Sequence, residues 1–156
     1  MLSVAIPGFG SLRLEHLVLD YNGTLAADGL LLPGVRRRLA ALALELRVHV
    51  LTADTFGKAR TQLRGTECEL IVLGRRFQGR AKAACVRRLG AARTVCIGNG
   101  RNDRLMLRAA ALGIGIVQRE GAAGDSLRAA DVVVCDARDA LDLLLKPLRL
   151  VATLRD

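Results

Sequence analysis

The sequence predicts an α/β protein, a three-layer doubly wound parallel sheet built as one domain over residues 1–156 with no inserted second unit. Three observations lead there. Short apolar runs recur along the chain, amphipathic helical patterns separate them, and the runs do not alternate polar with apolar residues as a half-solvated strand would.

A short β-prone start is broken by Pro7 and Gly8, and residues 14–20 then read as a strand that runs into the turn signal Asn22-Gly23. Pro33 opens a helix to about residue 46, with Arg36, Arg37 and Arg38 on its first turn. Further apolar runs at 48–51, 70–73, 94–97, 114–117 and 132–134 predict strands, joined by helices over about 55–64, 80–89, 101–110, 121–129 and 137–146. No repeat, low-complexity tract or linker interrupts this alternation.

Composition narrows the classes. A chain of 156 residues buries a core without staples, and 51% hydrophobic with 25% charged residues excludes a disordered protein. The N-terminal residues lack the basic and apolar segments of a signal peptide, and no stretch approaches the roughly 20 apolar residues of a membrane span, so a cytoplasmic protein without a membrane is expected. Cys68, Cys85, Cys96 and Cys135 lie far apart, mostly in apolar runs, which reads as buried, reduced thiols. A net charge of +9 suits nucleic acid, but aromatics are only 3% with no Trp, so the stacking platforms of nucleic-acid binders are missing. Drawing phosphorylated small molecules to a cleft is the better use of that charge.

In a doubly wound sheet ligands bind outside the carboxyl ends of the strands. Asp20 ends the first main strand, followed by Tyr21-Asn22-Gly23-Thr24, a carboxylate beside a turn whose N–H groups can cradle an anion. An ordinary Asx turn has the same pattern. Thr52, ending the next strand before Ala53 and Asp54, offers a hydroxyl to an oxyanion or a cap to the following helix. Lys82 is one of three lysines against 21 arginines and sits early in a helix. The run from Gly98 to Asp103, Gly-Asn-Gly-Arg-Asn-Asp, follows another strand, and Asp20 with Asp103 would suffice for Mg²⁺, which prefers one or two carboxylates plus water and phosphate.

In this order, Asp-x-Asn-Gly-Thr, Leu-Thr, a downstream Lys and Gly-Asn-Gly-x-Asn-Asp resemble the four motifs of the haloacid dehalogenase superfamily, and most of all the phosphorylation domain of P-type ATPases and their soluble relatives. The resemblance spans about residues 14–136, including Leu51-Thr52-Ala53-Asp54, Ala111-Leu112-Gly113-Ile114-Gly115 and Ala130-Asp131-Val132-Val133-Val134. It implies that Asp20 is a nucleophile that becomes an aspartyl-phosphate, and that Gly23, Thr52, Ala53 and Lys82 hold the phosphoryl group. It also implies a Mg²⁺ cofactor held by Asp20, the Asn22 carbonyl, Asp103 and the Asn99 position.

Two positions depart from the pattern. Phosphatases of the superfamily have Asp where Asn22 stands, as general acid and base, and a second carboxylate where Asn99 stands. Asn22 cannot transfer a proton, so formation of the phosphoenzyme is expected to survive better than its turnover. The spans from Thr24 to Thr52 and from Thr52 to Lys82 leave no room for a cap domain, an ATP-binding domain or membrane helices. The expectation is a phosphohydrolase with an open site acting on a phosphorylated small molecule. The alternatives are a weakly active or non-catalytic phosphate- or nucleotide-responsive module, and a basic nucleic-acid-binding domain. A homo-oligomer would cover both the cleft and the leucine-rich residues 141–154, unless those leucines simply pack the last helix on the sheet.

Overall fold

The computed structural model describes residues 1–54 and 56–156. Its centre is a six-stranded, all-parallel sheet of β3 (His16–Leu19), β6 (Arg47–Thr52), β7 (Glu69–Val72), β8 (Thr94–Gly98), β9 (Leu112–Ile116) and β10 (Val132–Val134). The spatial order is β10-β9-β8-β3-β6-β7. The chain therefore builds outward from β3 in one direction, returns to β8 beside β3, and builds outward the other way. That reversal puts the carboxyl ends of β3 and β8 side by side, the crevice where doubly wound sheets bind ligands.

The inner strands β3, β6, β8 and β9 are buried on both faces, whereas the edge strands β7 and β10 are partly exposed, Val72 by 49% and Val133 by 47%. Leu17, Leu19, Val48, Val50, Val95, Ile97, Leu112 and Ile114 share one core with α1 (Val35–Ala43) and α6 (Ala137–Leu145), which supply Val35, Leu39, Leu42, Ala140, Leu141 and Leu144. On the other face Val18, Leu51 and Cys96 meet Cys85 and Val86 of α3 (Gln78–Leu89) and Met106 and Leu107 of α4 (Arg104–Ala109). The glycines of β9 follow from this layering: a Cβ on Gly113 would lie 2.7 Å from the Leu107 carbonyl oxygen. Arg38 joins two helices of the first layer, donating to Asp142 of α6 at 2.7 Å. Among the described residues no inserted domain covers the crevice.

The remaining elements refine the expectations. Residues 14–20 are not one strand, because Leu14 closes an antiparallel hairpin of β1 (Leu2–Ile6) and β2 (Gly10–Leu14) before β3 begins. A second small hairpin, β4 (Ala26–Ala27) with β5 (Leu30–Leu31), precedes α1, and Gly34 at φ 82° makes Pro33-Gly34 a turn outside that helix. The helix expected over 55–64 is a single turn, α2 (Ala59–Gln62); position 55 lies outside the described residues. A 3₁₀ turn, Arg101–Asp103, precedes α4, and α5 is only Gly124–Leu127. Pro147 separates α6 from α7 (Leu148–Leu154). Leu141, Leu143, Leu144 and Leu150 are core residues, whereas Leu148 is 81% exposed. Of the cysteines only Cys85 and Cys96 are buried, so the expectation fails at Cys135, which is exposed, and at half-buried Cys68; none is paired. Among the described residues no helix is long and apolar enough to cross a membrane.

Candidate active site

Asp20 follows β3 directly, held by its N–H to the Ile97 carbonyl at 3.0 Å, so the nucleophile candidate is fixed between β3 and β8. Lys82 reaches it from α3. The lysine side chain is completely buried, and its Nζ lies 2.5 Å from Asp20 Oδ1 and 2.6 Å from Asp103 Oδ1. Asp103 Oδ2 accepts the N–H groups of Asn99 at 3.0 Å and Gly100 at 2.8 Å, which folds the loop after β8 around the carboxylate. Gly98 is required there, since a Cβ on it would approach Asp103 Oδ2 to 2.6 Å.

One ammonium thus serves two buried carboxylates, and the electrostatics follow from that count. Burial pushes Asp103 up to about 6, the charge of Asp20 adds to the push, and Lys82 opposes it. For Lys82 burial alone would favour the neutral amine, but the two carboxylates outweigh it and hold the ammonium above its ordinary range. With all three groups ionised the cluster carries a net negative charge in a dry place, an arrangement that calls for a second cation.

Two asparagines flank the cluster. Thr24 Oγ lies 3.3 Å from Asp20 Oδ2 and 3.1 Å from Asn99 Oδ1, and Asn99 Nδ2 donates to the Gly121 carbonyl at 3.0 Å. The Asn99 amide is thus bonded to the protein through both its oxygen and its nitrogen. It also fits against a position only glycine can fill: Gly23 has φ +78°, and a Cβ there would lie 2.2 Å from Asn99 Nδ2. Asn22 Oδ1 is buried and has no hydrogen-bond partner.

Thr52 and Ala53 stand at the end of β6, beside β3. Thr52 Oγ accepts the Asp54 N–H at 2.9 Å, and Asp54 Oδ1 accepts the N–H of Ala59, the first residue of α2, at 3.0 Å. Asp54, not Thr52, thus reaches the start of α2, while the Thr52 hydroxyl keeps its own proton to donate. Among the described residues Thr52 and Ala53 make no hydrogen bond to the other site candidates, whereas Asp20, Lys82 and Asp103 touch directly and Asn99 joins them through its N–H to Asp103 and through Thr24.

Sequence reading missed several supports. Gln118 Nε2 donates to the carbonyls of Gly23 at 3.1 Å and Thr24 at 2.7 Å, while its Oε1 accepts the Ala137 N–H at 3.0 Å, so one side chain ties the turn after Asp20 to α6. Tyr21, fully buried, donates to the Gly29 carbonyl at 3.0 Å and anchors the β4–β5 hairpin. Ser126 Oγ donates to the Gly100 carbonyl. Their only sequence signal is polarity close to apolar strand ends.

Solved structures share this fold. The cobalt-bound deoxy-D-mannose-octulosonate 8-phosphate phosphatase of Haemophilus influenzae matches with a TM-score of 0.71 and 17% identity over 90% of this chain and 92% of its own. The corresponding putative phosphatase of Vibrio cholerae gives 0.69 and 14% over 100% and 99%. The chain has the haloacid dehalogenase fold. A third such protein, the 3-deoxy-D-manno-octulosonate 8-phosphate phosphatase of Moraxella catarrhalis, was solved with magnesium, phosphate and KDO; it matches at 0.65 with 16% identity over 89% and 90%. Over 62 residues the chain is 52% identical to the uncharacterized protein MJ0073 of Methanocaldococcus jannaschii, covering 40% of this chain and 67% of that one, and the two belong to one family. No family model matches the chain.

Proposed function

We propose that this chain is a magnesium-dependent phosphohydrolase for phosphorylated small molecules, working through an aspartyl-phosphate on Asp20. The observation that carries this reading is the fully buried Lys82 bridging Asp20 and Asp103 at the switch point of the sheet. A lysine without solvent contact that holds two carboxylates is costly as scaffolding, and it makes sense where phosphoryl charge must be received.

The residues present fit Mg²⁺. The donors are all oxygen, the cluster is one positive charge short, and among the described residues no group of three or more His, Cys, Asp or Glu offers a softer or more crowded site. Asp20, the Asn22 carbonyl and Asp103 would hold the ion, Asp103 through water because its two oxygens already take Lys82 and the loop N–H groups. Mg²⁺ would neutralise phosphate charge. Asn99 is spent on Thr24 and Gly121, so it supports the loop more than it serves as a ligand.

The protein's own part is positioning. An Asp20 oxygen attacks phosphorus, the bond to the leaving oxygen breaks, and Lys82 with the Thr52 hydroxyl stabilises the phosphoryl oxygens. Water then attacks the aspartyl-phosphate and releases phosphate. Asn22 supplies no proton in either half, so good leaving groups such as acyl or aryl phosphates are the better substrates. One observation favours a second reading, a phosphate-responsive module of low turnover: the amide of Asn99 is locked where a further metal-binding carboxylate would increase the site's charge. Phosphate release from p-nitrophenyl phosphate, with and without Mg²⁺, separates the two. Release by the wild type and none by Asp20→Asn supports the hydrolase; equal traces from both support the module.

A further inference from the structure

A second feature lies at the same end of the sheet. Between the N-terminal ends of α3 and α4 is an open basin of about 430 Å³, and four of its walls are the side chains of Arg75, Arg80, Arg101 and Arg104. Arg101 pairs with Asp125 at 3.0 Å; among the described residues Arg75, Arg80 and Arg104 form no ion pair with a carboxylate. Arg104 Nη1 donates to the Arg101 carbonyl at 2.7 Å, and a bound anion would supply Arg75, Arg80 and Arg104 with a counter-charge.

The first turn of α3 carries no acidic residue, so its free N–H groups add to the positive potential. Phe77 just before it is 73% exposed at φ 57°, and the Arg80 guanidinium lies 5.9 Å from its ring centroid. A large ring in water, in a left-handed conformation, gives an organic ligand an apolar contact beside the charges.

The basin shares a wall with the candidate active site. Gln78, which lines it, precedes Lys82 on α3 by one turn, on the order of 6 Å. Asn102, also in its lining, directly precedes Asp103, and its Nδ2 donates to Gln78 Oε1 at 2.7 Å. The helix and loop pack closely there, since a Cβ on Gly79 would be 3.2 Å from the Asn102 carbonyl oxygen.

We infer that the substrate carries a second anionic group, a phosphate or a carboxylate, which the arginine basin holds while its phosphoryl group lies at Asp20. The inference rests on the phosphohydrolase reading and gives it a substrate class: small molecules with two anionic ends. Among the described residues no cap covers the crevice, and a basin on the core domain selects the substrate instead.

The test compares alkanediol bisphosphates of graded spacer length against the matching alkyl monophosphates. One spacer length should raise kcat/KM by about tenfold or more, the range of a charge-assisted hydrogen bond. Arg80→Gln with Arg104→Gln should remove that preference, with circular dichroism and Tm reporting an intact fold. Arg13→Gln, on the exposed face of the β1–β2 hairpin, should keep it. No preferred spacer, or a preference unchanged in the double variant, overturns the inference. If the wild type also fails to release phosphate from p-nitrophenyl phosphate, the phosphohydrolase reading is what fails. Calorimetry of the bisphosphates with the Asp20→Asn protein then decides for the basin: binding lost in the added double arginine variant supports it, and no binding or unchanged binding overturns it. Displacement of the bisphosphate by a single-stranded oligonucleotide, with affinity falling steeply in salt, would overturn it in favour of nucleic acid.

Discussion

The same two strands carry buried polar groups at both ends, and the ends behave differently. At the amino ends of β3 and β6, His16 Nδ1 lies 3.1 Å from His49 Nε2, and His49 Nδ1 lies 2.8 Å from Glu69 Oε2. This is a linear chain of hydrogen bonds that ends in solvent at Glu69. At the carboxyl ends, Asp20 after β3 and Asp103 after β8 stay buried and share the one ammonium of Lys82. Buried polarity alone therefore does not mark a site; a charge imbalance that the protein leaves uncorrected does.

The comparison breaks most sharply with Asp20→Asn. Phosphate release should fall by roughly 10⁴-fold or more, as for other nucleophile deletions, while His49→Gln at the opposite end should leave release within about twofold and lower only Tm. Comparable losses from both would mean that neither end is a site. Lys82→Met comes next. It leaves two buried carboxylates facing each other and should cost about 3–5 kcal/mol in urea unfolding, partly recovered by millimolar Mg²⁺; a variant as stable as the wild type would mean that the cluster was not electrostatically strained.

Asn22→Asp should speed hydrolysis of alkyl phosphates by about 10²-fold and shrink the burst of a rapid-quench experiment, since a carboxyl can protonate the leaving oxygen and activate water. An unchanged rate with poor leaving groups would assign the proton to another residue. The smallest effect is in stability against pH, and its sign differs between the ends. In metal-free protein Asp103 is raised, first by burial and then by Asp20, so its contribution is full below its unfolded value of 3.8 and is lost as pH rises through about 6. Burial, followed by His49, lowers His16, so its contribution is present above 6.5 and is lost as pH falls below that. Thermal melts in EDTA between pH 5 and 7.5 should lose the first slope with Asp103→Asn and the second with His16→Gln; slopes that survive both changes would assign them to other groups.

Much of this architecture was legible. All six core strands fall on the apolar runs, because burial of the inner strands on both faces keeps most of their residues apolar. The errors lie where local pattern and tertiary contact diverge. Leu14 continues the apolar run into β3 yet belongs to a hairpin, since a single residue, Glu15, separates the two strands. Asp20, Lys82 and Asp103 were readable because three chemically distinct motifs recur in a fixed order. Gln118 was not, since its role rests on carbonyls 95 and 94 positions away and a lone glutamine after a strand carries no mark of that. The arginines of the basin were visible as residues, but pairs such as Arg75-Arg76 do not reveal that Arg75 shares a basin with Arg101 and Arg104.

The burial of Lys82 also gives the molecule an internal clock. Of three lysines, Lys58 and Lys146 are exposed and react with an amine-selective acylating reagent as soon as it is added, whereas Lys82 has no accessible surface. Modification of Lys82 therefore has to wait until α3 lifts from the sheet, and its rate, read peptide by peptide in a mass spectrometer, times that opening without any mutation.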